Sequence, residues 1–217
     1  MQKVAIITGA SRGIGLACAL RLVRCGWKVY GISRRECKRE EFQTFQADVN
    51  DHQKIAQIFD EVFQKEGRID ALVNNAGFGI AGAIEDTKAE NVDAIINTNL
   101  SSVVKLCSLA IEYLKKSCGR IVNISSVAGV VPLPYQACYS ATKAGVEIFS
   151  RALAMELAPY KVKVTAVLPG DTKTDFTSAR VIDGQENARA TKSIGKMAKD
   201  EQNGKALMSL QEWSKKF

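Results

Sequence analysis

The feature that most constrains the fold of this chain is a regular alternation of short apolar runs with longer stretches of helical periodicity. The apolar runs, rich in β-branched residues, are predicted strands at 3–8, 28–33, 42–49, 69–77, 119–126 and 162–170. Predicted helices lie between them at 13–26, 51–67, 88–117 and 134–159. Near-continuous apolar strands that alternate with helices indicate a parallel sheet covered on both faces. We therefore predict an α/β fold with a doubly wound parallel sheet of six strands, a Rossmann-type three-layer sandwich.

The stretch 51–67 illustrates how the helices are assigned. Acidic Asp51 precedes it, Gly67 ends it, and its apolar side chains recur at helical spacing, at Ile55, Ile58, Phe59, Val62 and Phe63. In doubly wound folds, ligands bind beyond the carboxyl ends of the strands. Polar residues that directly follow the strands are therefore the first candidates for a functional site.

Length and composition suit one globular domain. The chain has 217 residues, of which 46% are hydrophobic and 24% charged. We predict a single dinucleotide-binding and catalytic domain over 1–217. Within it, the polar and weakly periodic segment 171–217 is predicted to form a substrate lid or flanking helices and a shortened C-terminal region. Its end, 207–217, has the spacing of a short amphipathic helix.

The sequence gives no sign of a membrane span or of an export signal. No uncharged apolar run approaches the ~20 residues that a membrane helix needs. The N-terminal run before the first glycine is short and lacks the cleavage site of a signal peptide. We expect a cytoplasmic protein.

The cysteine and histidine content argues against a metal site. Six cysteines are scattered without a CxxC pair, and His52 is the single histidine. We predict no metal ion, and we expect the cysteines to be buried, reduced and structural. A Ser-His-Asp mechanism would have to use His52, which no nucleophile motif surrounds.

The formal net charge of +7 raises the question of nucleic-acid binding. Lysine and arginine also solvate helix faces, and charge is the only feature that favours a nucleic-acid partner. We therefore predict no nucleic-acid binding, and we assign part of the positive charge, the cluster at 33–39, to a small anionic ligand.

A glycine-rich segment, "TGASRGIG" at 8–15, follows the first predicted strand and begins the first helix. Glycine allows the sharp turn, the close approach of backbone to a pyrophosphate, and a helix N-terminus that faces the anion. The spacing of Gly9, Gly13 and Gly15 is GxxxGxG. Its position after a terminal strand predicts a dinucleotide phosphate loop.

The end of the second predicted strand indicates which dinucleotide is bound. Folds that prefer NAD place a carboxylate there for the ribose 2′-hydroxyl, but this chain has Ser33 followed by Arg34 and Arg35. Arg12 also lies within the glycine loop. A guanidinium group suits a 2′-phosphate, so we predict NADP(H) held by Arg34 and Arg12. Glu36 is the alternative ribose ligand, although it more readily balances the neighbouring charges.

The segment "YSATK" places Tyr139 and Lys143 four residues apart on one face of a predicted helix. When a hydride reaches a carbonyl carbon, charge develops on the oxygen, which then needs a proton and a second hydrogen-bond donor. A tyrosine with its reference pKa of ~10 transfers protons slowly near neutral pH, and a nearby ammonium group lowers that pKa. Ser126, after the fifth strand, can be the second donor, with Ser125 as the rival candidate.

Six motifs occur in register: "TGASRGIG" (8–15), "NNAG" (74–77), "NTNL" (97–100), "NISS" (123–126), "YSATK" (139–143) and "LPGDTKT" (168–174). Over about residues 3–175 the chain resembles the short-chain dehydrogenase/reductase family. Within that family it is most similar to 3-oxoacyl-(acyl carrier protein) reductases and related NADP-dependent carbonyl reductases. The resemblance implies an oxidoreductase that transfers a hydride between NADP(H) and a carbonyl compound or secondary alcohol, with 3-oxoacyl thioesters among the candidate substrates.

The resemblance also implies individual roles. Tyr139 would transfer the proton, Lys143 would be its cationic partner, Ser126 would orient the substrate and Asn99 would help to hold a relay water. Asp48 would contact adenine, and Thr172 and Thr174 the carboxamide. The complete set of implied cofactor-binding residues is Gly9, Ser11, Arg12, Gly13, Ile14, Gly15, Ser33, Arg34, Asp48, Val49, Asn75, Ala76, Gly77, Tyr139, Lys143, Pro169, Gly170, Thr172 and Thr174.

The chain departs from the family at its C-terminus, where no seventh β-branched run follows the lid. That region commonly completes the substrate pocket and one subunit interface. An alternative function is therefore an NADP(H)-binding sensor or interaction protein without turnover. We expect a homo-oligomer, dimer or tetramer. Ala144, Ile148, Ala152 and Met155 of the helix at 134–159 would either meet a partner subunit or face the sheet.

Overall fold

The structure is a computed structural model that describes residues 1–170, 172, 176, 179–184 and 186–203. The helix predicted at 207–217 and the role predicted for Thr174 therefore lie outside the described residues.

The main sheet has six parallel strands, as predicted. They are β1 (Val4–Thr8), β2 (Lys28–Ser33), β3 (Gln43–Gln46), β4 (Ala71–Asn74), β6 (Arg120–Ile124) and β7 (Lys163–Val167). Their spatial order is β3-β2-β1-β4-β6-β7, so the direction of strand order reverses between β1 and β4. In the register, Ile6 of β1 pairs with Tyr30 on one side and with Leu72 on the other. The doubly wound parallel sheet is confirmed, and its carboxyl edge between β1 and β4 is where this fold binds ligands.

Six helices accompany the strands in the described part of the chain. They are α1 (Gly13–Arg24), α2 (His52–Glu66), α3 (Ala89–Ile96), α4 (Ser102–Ser117), α5 (Ala137–Leu157) and α6 (Ala188–Asn203). The helix predicted as one element at 88–117 is interrupted by a π-helical turn at Asn97–Ser101. Such turns are rare and frequently lie at functional sites, and this one contains Asn99.

The ends of α2 follow the predicted signals. The side chain of Asp51 accepts a hydrogen bond from the backbone N–H of Lys54 at 3.0 Å, which caps the first turn. Gly67 adopts a left-handed conformation with φ of 72° and ends the helix. Local sequence therefore determines both boundaries of this element.

The core lies on both faces of the sheet. On one face, Ile6, Leu72 and Ile121 of the sheet pack with Phe59 of α2 and Leu106 of α4, and all five side chains are at most 2% exposed. A second cluster on the opposite face joins α1 to the sheet. Burial of each such side chain contributes ~1.5–3 kcal/mol. Hydrophobic side chains on both faces explain why the four inner strands are apolar almost throughout.

A small second sheet, absent from the predicted elements, joins β5 (Ile80–Ala81) to β8 (Val181–Ile182) in parallel. The carboxylate of Asp183, next to β8, accepts hydrogen bonds from Asn91 Nδ2 of α3 at 2.9 and 2.8 Å. The segment that the sequence assigns to a lid or flanking helices is thus attached to α3, and it continues into α6.

The continuous helical stretch Ala89–Ser117 is long and apolar enough to cross a membrane by length and composition alone. Its α4 portion nevertheless buries Val103, Leu106 and Leu114 against the main sheet. A core helix of an α/β domain has the same length and composition, so this property is weak support for a membrane span.

The expectation that the cysteines are buried is only partly correct. Cys18 and Cys107 are buried, and burial raises the pKa of each thiol to about 12. Cys25 and Cys118 are exposed instead, because they lie at the C-terminal ends of α1 and α4. All six cysteines are free thiols.

Candidate active site

The glycine loop is compact and adopts conformations that favour glycine. Gly9 and Gly13 have φ of 68° and 57°. A Cβ atom at Gly15 would lie 2.4 Å from the carbonyl oxygen of Gly9, so a side chain there would force the loop open. The backbone N–H of Gly9 donates to Ile32 O of β2 at 2.8 Å. The side chain of Arg12, the N-cap residue, does not cap α1, so the first backbone N–H groups of the helix can face a pyrophosphate.

Asn75 supports this loop from β4. Its side-chain Nδ2 donates to Thr8 O at 3.0 Å and to Gly9 O at 3.2 Å. The hydroxyl of Thr8 in turn accepts from the backbone N–H groups of Asn75 and Ala76, each at 3.0 Å. The family resemblance implies that 75–77 belongs to the cofactor-binding residues. The structure places this segment directly against the glycine loop, with Thr8 as a holding residue that the motifs did not single out.

The positively charged end of the site follows β2. Ser33 is 8% exposed, and its hydroxyl donates to Arg35 O at 2.8 Å, which turns the chain after the strand. Arg34 and Arg12 are both exposed. Arg39 donates from its guanidinium to Ser11 O at 3.5 Å and therefore adds a third positive charge beside the loop. The cluster at 33–39 pointed to this region, but Arg39 itself was not predicted.

Two further predicted cofactor-binding residues, Asp48 and Val49, follow β3. Asp48 is half-buried, and its Oδ1 accepts from Asn50 N at 2.8 Å, while Val49 is 5% exposed. Ile14 packs against the core cluster that includes α1. The burial of Val49 holds the loop that follows β3 at the carboxyl edge of the sheet.

Lys143 is attached at two points to the end of β6. Its Nζ donates to Ile124 O at 2.7 Å, and its backbone carbonyl accepts from Ser125 Oγ at 2.8 Å. The residue is 6% exposed, and burial lowers the pKa of its ammonium group from 10.5 to about 8. A cation is therefore held at a fixed position inside the site.

Tyr139 lies one helical turn before this cation. Lys143 Nζ is 5.7 Å from the centroid of the Tyr139 ring. Tyr139 is 7% exposed, and the ring of Phe176 packs against it at a centroid distance of 5.7 Å. The predicted pair is thus brought together in a largely dehydrated environment, where electrostatic interactions are stronger than in water.

The structure gives the two adjacent serines different environments. Ser125 is 3% exposed and its hydroxyl donates to the backbone of Lys143. Ser126 is half-buried, and its hydroxyl accepts from Ala128 N at 3.1 Å, so its proton is available to another acceptor. This geometry favours Ser126 over Ser125 as a donor to a substrate.

Asn99 is fully buried within the π-helical turn. Its Nδ2 donates to Phe78 O at 2.8 Å, and its Oδ1 accepts from Phe78 N at 3.0 Å. A Cβ atom at Gly77 would lie 2.9 Å from the same Oδ1, so glycine is needed for this approach. These contacts show that the side chain of Asn99 holds the 76–78 segment in place. Its predicted part in holding a water stays a prediction.

The segment after β7 lies beside Ser126. The backbone N–H of Val127 donates to Pro169 O at 3.1 Å, and Thr172 Oγ1 donates to Gly170 O at 3.1 Å. Pro169, Gly170 and Thr172 are therefore at the same edge as the other predicted residues, while Thr174 is outside the described part.

An apolar wall adjoins Tyr139. The cluster also contains Phe78, Ile80, Ile95, Ala128, Leu133, Cys138, Phe176 and Val181. These residues come from four separate parts of the chain, so sequence motifs could not group them. In the residues that the structure describes, no group of three metal-ligating side chains was found.

Comparison with known proteins agrees with this geometry. Residues 3–184 match the family described as short chain dehydrogenase. A 3-ketodihydrosphingosine reductase of Bacteroides thetaiotaomicron is 40% identical over 210 residues, which are 93% of this chain and 78% of that protein.

Two solved structures are also similar. A 3-ketoacyl-(acyl-carrier-protein) reductase from Brucella melitensis, complexed with NADH, is 26% identical, with a TM-score of 0.85 over 99% of this chain and 88% of that one. ElxO with NADP bound is 29% identical, with a TM-score of 0.82 over 100% of this chain and 90% of that one. The resemblance that the motifs indicated is confirmed, and the chain belongs to the short-chain dehydrogenase/reductase family of oxidoreductases, which act on carbonyl and alcohol groups.

Proposed function

We propose that this protein is an NADPH-dependent reductase of carbonyl compounds, with Tyr139, Lys143, Ser126 and Asn99 as its catalytic set. The observation that carries the proposal is the buried Lys143, held at both ends by β6 with its Nζ 5.7 Å from the ring centroid of Tyr139. Burial of a charged group costs free energy, so a buried ammonium group is a candidate for a functional role. Lys143 lies at the carboxyl edge of the sheet, where the glycine loop also lies.

The chemistry follows from these positions. When bound, the cofactor supplies the hydride. The hydroxyl of Tyr139 donates a proton to the carbonyl oxygen as negative charge develops there, and the hydroxyl of Ser126 donates a hydrogen bond to the same oxygen. The ammonium group of Lys143 stabilises the tyrosinate that remains after proton transfer. The apolar wall beside Tyr139 excludes water from this step.

The preference for NADPH rests on this chain's own residues, because one similar structure contains NADH and another NADP. Arg34 and Arg12 are exposed at the end of β2 and in the glycine loop, and Ser33 occupies the position of the acid that would bind a ribose hydroxyl. Guanidinium groups bind a phosphate strongly and gain little from a hydroxyl.

Replacement of Arg34 tests this preference. We expect Arg34→Asp to raise the KM for NADPH by about tenfold or more and to leave the KM for NADH within about threefold, because a phosphate contact contributes ~1.5–3 kcal/mol. The measurement is steady-state oxidation of both cofactors with one carbonyl substrate. Equal changes in the two constants would contradict the assignment, and Arg24→Asp at the far end of α1 is a matched control.

The substrate requires a separate screen. Oxidation of NADPH should be measured with a panel of ketones, aldehydes and 3-oxoacyl thioesters. Turnover of at least one class supports a reductase. NADPH binding without turnover across the whole panel would favour a sensor. Several relatives are named as reductases, so we expect turnover instead.

A further inference from the structure

A cavity of about 290 Å³ lies at the amino edge of the main sheet, where the parallel strands begin, opposite the candidate active site. Its lining includes Phe63, Gly67, Arg68, Tyr113, Lys116 and Ser117. These residues come from the C-terminal ends of α2 and α4 and from the segments that lead into β4 and β6. We refer to it as the amino-edge cavity. Of the described residues that line it, none belongs to the predicted catalytic or cofactor-binding set.

Two aromatic rings form one wall of this cavity. The rings of Phe63 and Tyr113 are half-buried, and their centroids are 5.2 Å apart. The hydroxyl of Tyr113 donates to Asp60 Oδ1 at 2.6 Å, which fixes the ring. Burial and this hydrogen bond raise the pKa of Tyr113 to about 12, so the wall stays uncharged near neutral pH. Such a wall suits a planar apolar group.

Two cationic side chains lie beside the aromatic wall. Lys116 is exposed, and its Nζ is 4.8 Å from the centroid of the Phe63 ring. Arg68 Nε donates to Asp70 Oδ2 at 2.8 Å, which orients the guanidinium group and leaves some of its N–H groups for another acceptor. No carboxylate is among the described residues of the lining. The cavity therefore favours an anionic group next to an aromatic one.

Further positive charge lies along the same edge of the sheet. Arg120 and Lys163 begin β6 and β7, are paired in register and are both exposed. Lys3, directly before β1, is exposed as well. Cations that line one edge raise the local concentration of anions. Part of the net charge of +7 is thus at an edge that the predicted cofactor site does not use.

We propose that the amino-edge cavity binds a small aromatic anion, a single planar ring that carries a phosphate or carboxylate group. The ring would pack against Phe63 and Tyr113, and the acidic group would contact Lys116 and Arg68. A volume of about 290 Å³ is at the lower end for ligand cavities, which suits one ring better than a dinucleotide. This site is therefore distinct from the one proposed for NADPH.

Calorimetric titration with four probes tests the proposal, in the presence of saturating NADPH so that the cofactor site is occupied. Phenyl phosphate and benzoate have a ring and an acidic group, inorganic phosphate lacks the ring, and phenol lacks the charge. For the better of the two ring anions we expect a Kd on the order of 0.1–1 mM. Inorganic phosphate and phenol should each bind about tenfold more weakly or less. The ratio of phenyl phosphate to benzoate affinity identifies the preferred acidic group.

Lys116→Gln and Lys115→Gln are a matched pair of variants. Both remove one charge from α4, but the Nζ of Lys115 lies 4.3 Å from the ring centroid of Tyr160, and Lys115 does not line the cavity. We expect Lys116→Gln to raise the Kd of the preferred ring anion about tenfold, because a charge-assisted contact is lost. The affinity for phenol should not change. Lys115→Gln should stay within about twofold of the parent for all probes.

Four results would each overturn the proposal. They are a Kd above about 10 mM for both ring anions, equal affinity for the ring anions and inorganic phosphate, equal effects of the two lysine variants, and loss of binding when NADPH is added. Because the titration contains no carbonyl substrate, none of these results depends on whether the protein is a reductase.

Discussion

At the scale of single residues, the central feature is the ammonium group of Lys143, which is buried and forms no ion pair with a carboxylate in the described ranges. The hydrogen bond of Lys143 to Ile124 O keeps the group in place, while burial lowers its pKa to about 8. In the unfolded chain the ordinary pKa of 10.5 applies. Between these two values the unfolded state binds more protons than the folded state, so the free energy of unfolding rises with pH in this range.

Replacement of the lysine should remove this pH dependence. The shift from 10.5 to about 8 corresponds to a penalty on the order of 3 kcal/mol that is fully present below pH 8 and lost above pH 10.5. Relative to the parent, Lys143→Met should therefore be most stable near pH 7, and its relative stability should decrease towards pH 10. Urea unfolding of both proteins at several pH values measures this difference. A difference that does not change with pH would contradict a depressed pKa.

At the scale of elements, the end of β6 positions α5. The hydroxyl of Ser125 donates to the backbone carbonyl of Lys143. The turn after β6 also approaches α5 closely at Gly129, where a Cβ atom would lie 2.8 Å from the carbonyl carbon of Lys143. We expect Ser125→Ala to lower kcat about tenfold while it costs only ~0.5–1.5 kcal/mol of stability, since one hydrogen bond is lost. The alkaline limb of the pH–rate profile should move to higher pH, because a cation that is held less firmly near Tyr139 lowers the tyrosine pKa less.

A matched control is available on the same helix. Ser140 is adjacent to Tyr139, and its hydroxyl has no hydrogen-bond partner in the part of the chain that the structure describes. Ser140→Ala should therefore leave the pH–rate profile in place. If both alanine variants behaved alike, Ser125 would be only a structural residue.

The elements also show what local sequence can predict. The four inner strands were predictable because both of their faces are buried, which makes them nearly continuous apolar runs. The edge strands β3 and β7 are only partly buried. The fourth predicted strand, 69–77, is shorter in the structure and ends at Asn74, because Asn75 turns away to hold the glycine loop. The π-helical turn could not be predicted, since it contains neither proline nor glycine and Asn99 contacts Phe78, which is distant in sequence. The β5–β8 pairing joins residues about a hundred positions apart and leaves no local signal.

The candidate site was predictable to a similar degree. Tyr139, Lys143, Ser126 and the glycines occur in short motifs whose order is informative. Arg39, Thr8 and the apolar wall were missed, because their roles depend on contacts between distant segments. The two alternatives for the proposed substrate-binding serine, Ser125 and Ser126, differ in side-chain direction, which the sequence of two adjacent serines does not reveal.

At the scale of the whole molecule, the outer face of α5 remains uncovered. Ile148 and Met155 are 65% and 78% exposed and lie on one face with Ala144 and Ala152, so the alternative that this face packs on the sheet is wrong. We propose that it contacts a second subunit. The double variant Ile148→Arg and Met155→Arg should have a lower mass than the parent in light scattering. An unchanged mass, or a parent that is already monomeric, would contradict this interface.

The most direct test of the account is single-turnover NADPH oxidation by Tyr139→Phe with a substrate that the parent reduces. The substitution removes only the hydroxyl that is proposed to donate the proton. We predict a Kd for NADPH within about twofold of the parent and a rate lower by about 10²–10⁴-fold, the usual contribution of a positioned general acid. If NADPH binding is normal and more than a few per cent of the parent rate remains, Tyr139 is not the proton donor and the proposed mechanism is wrong.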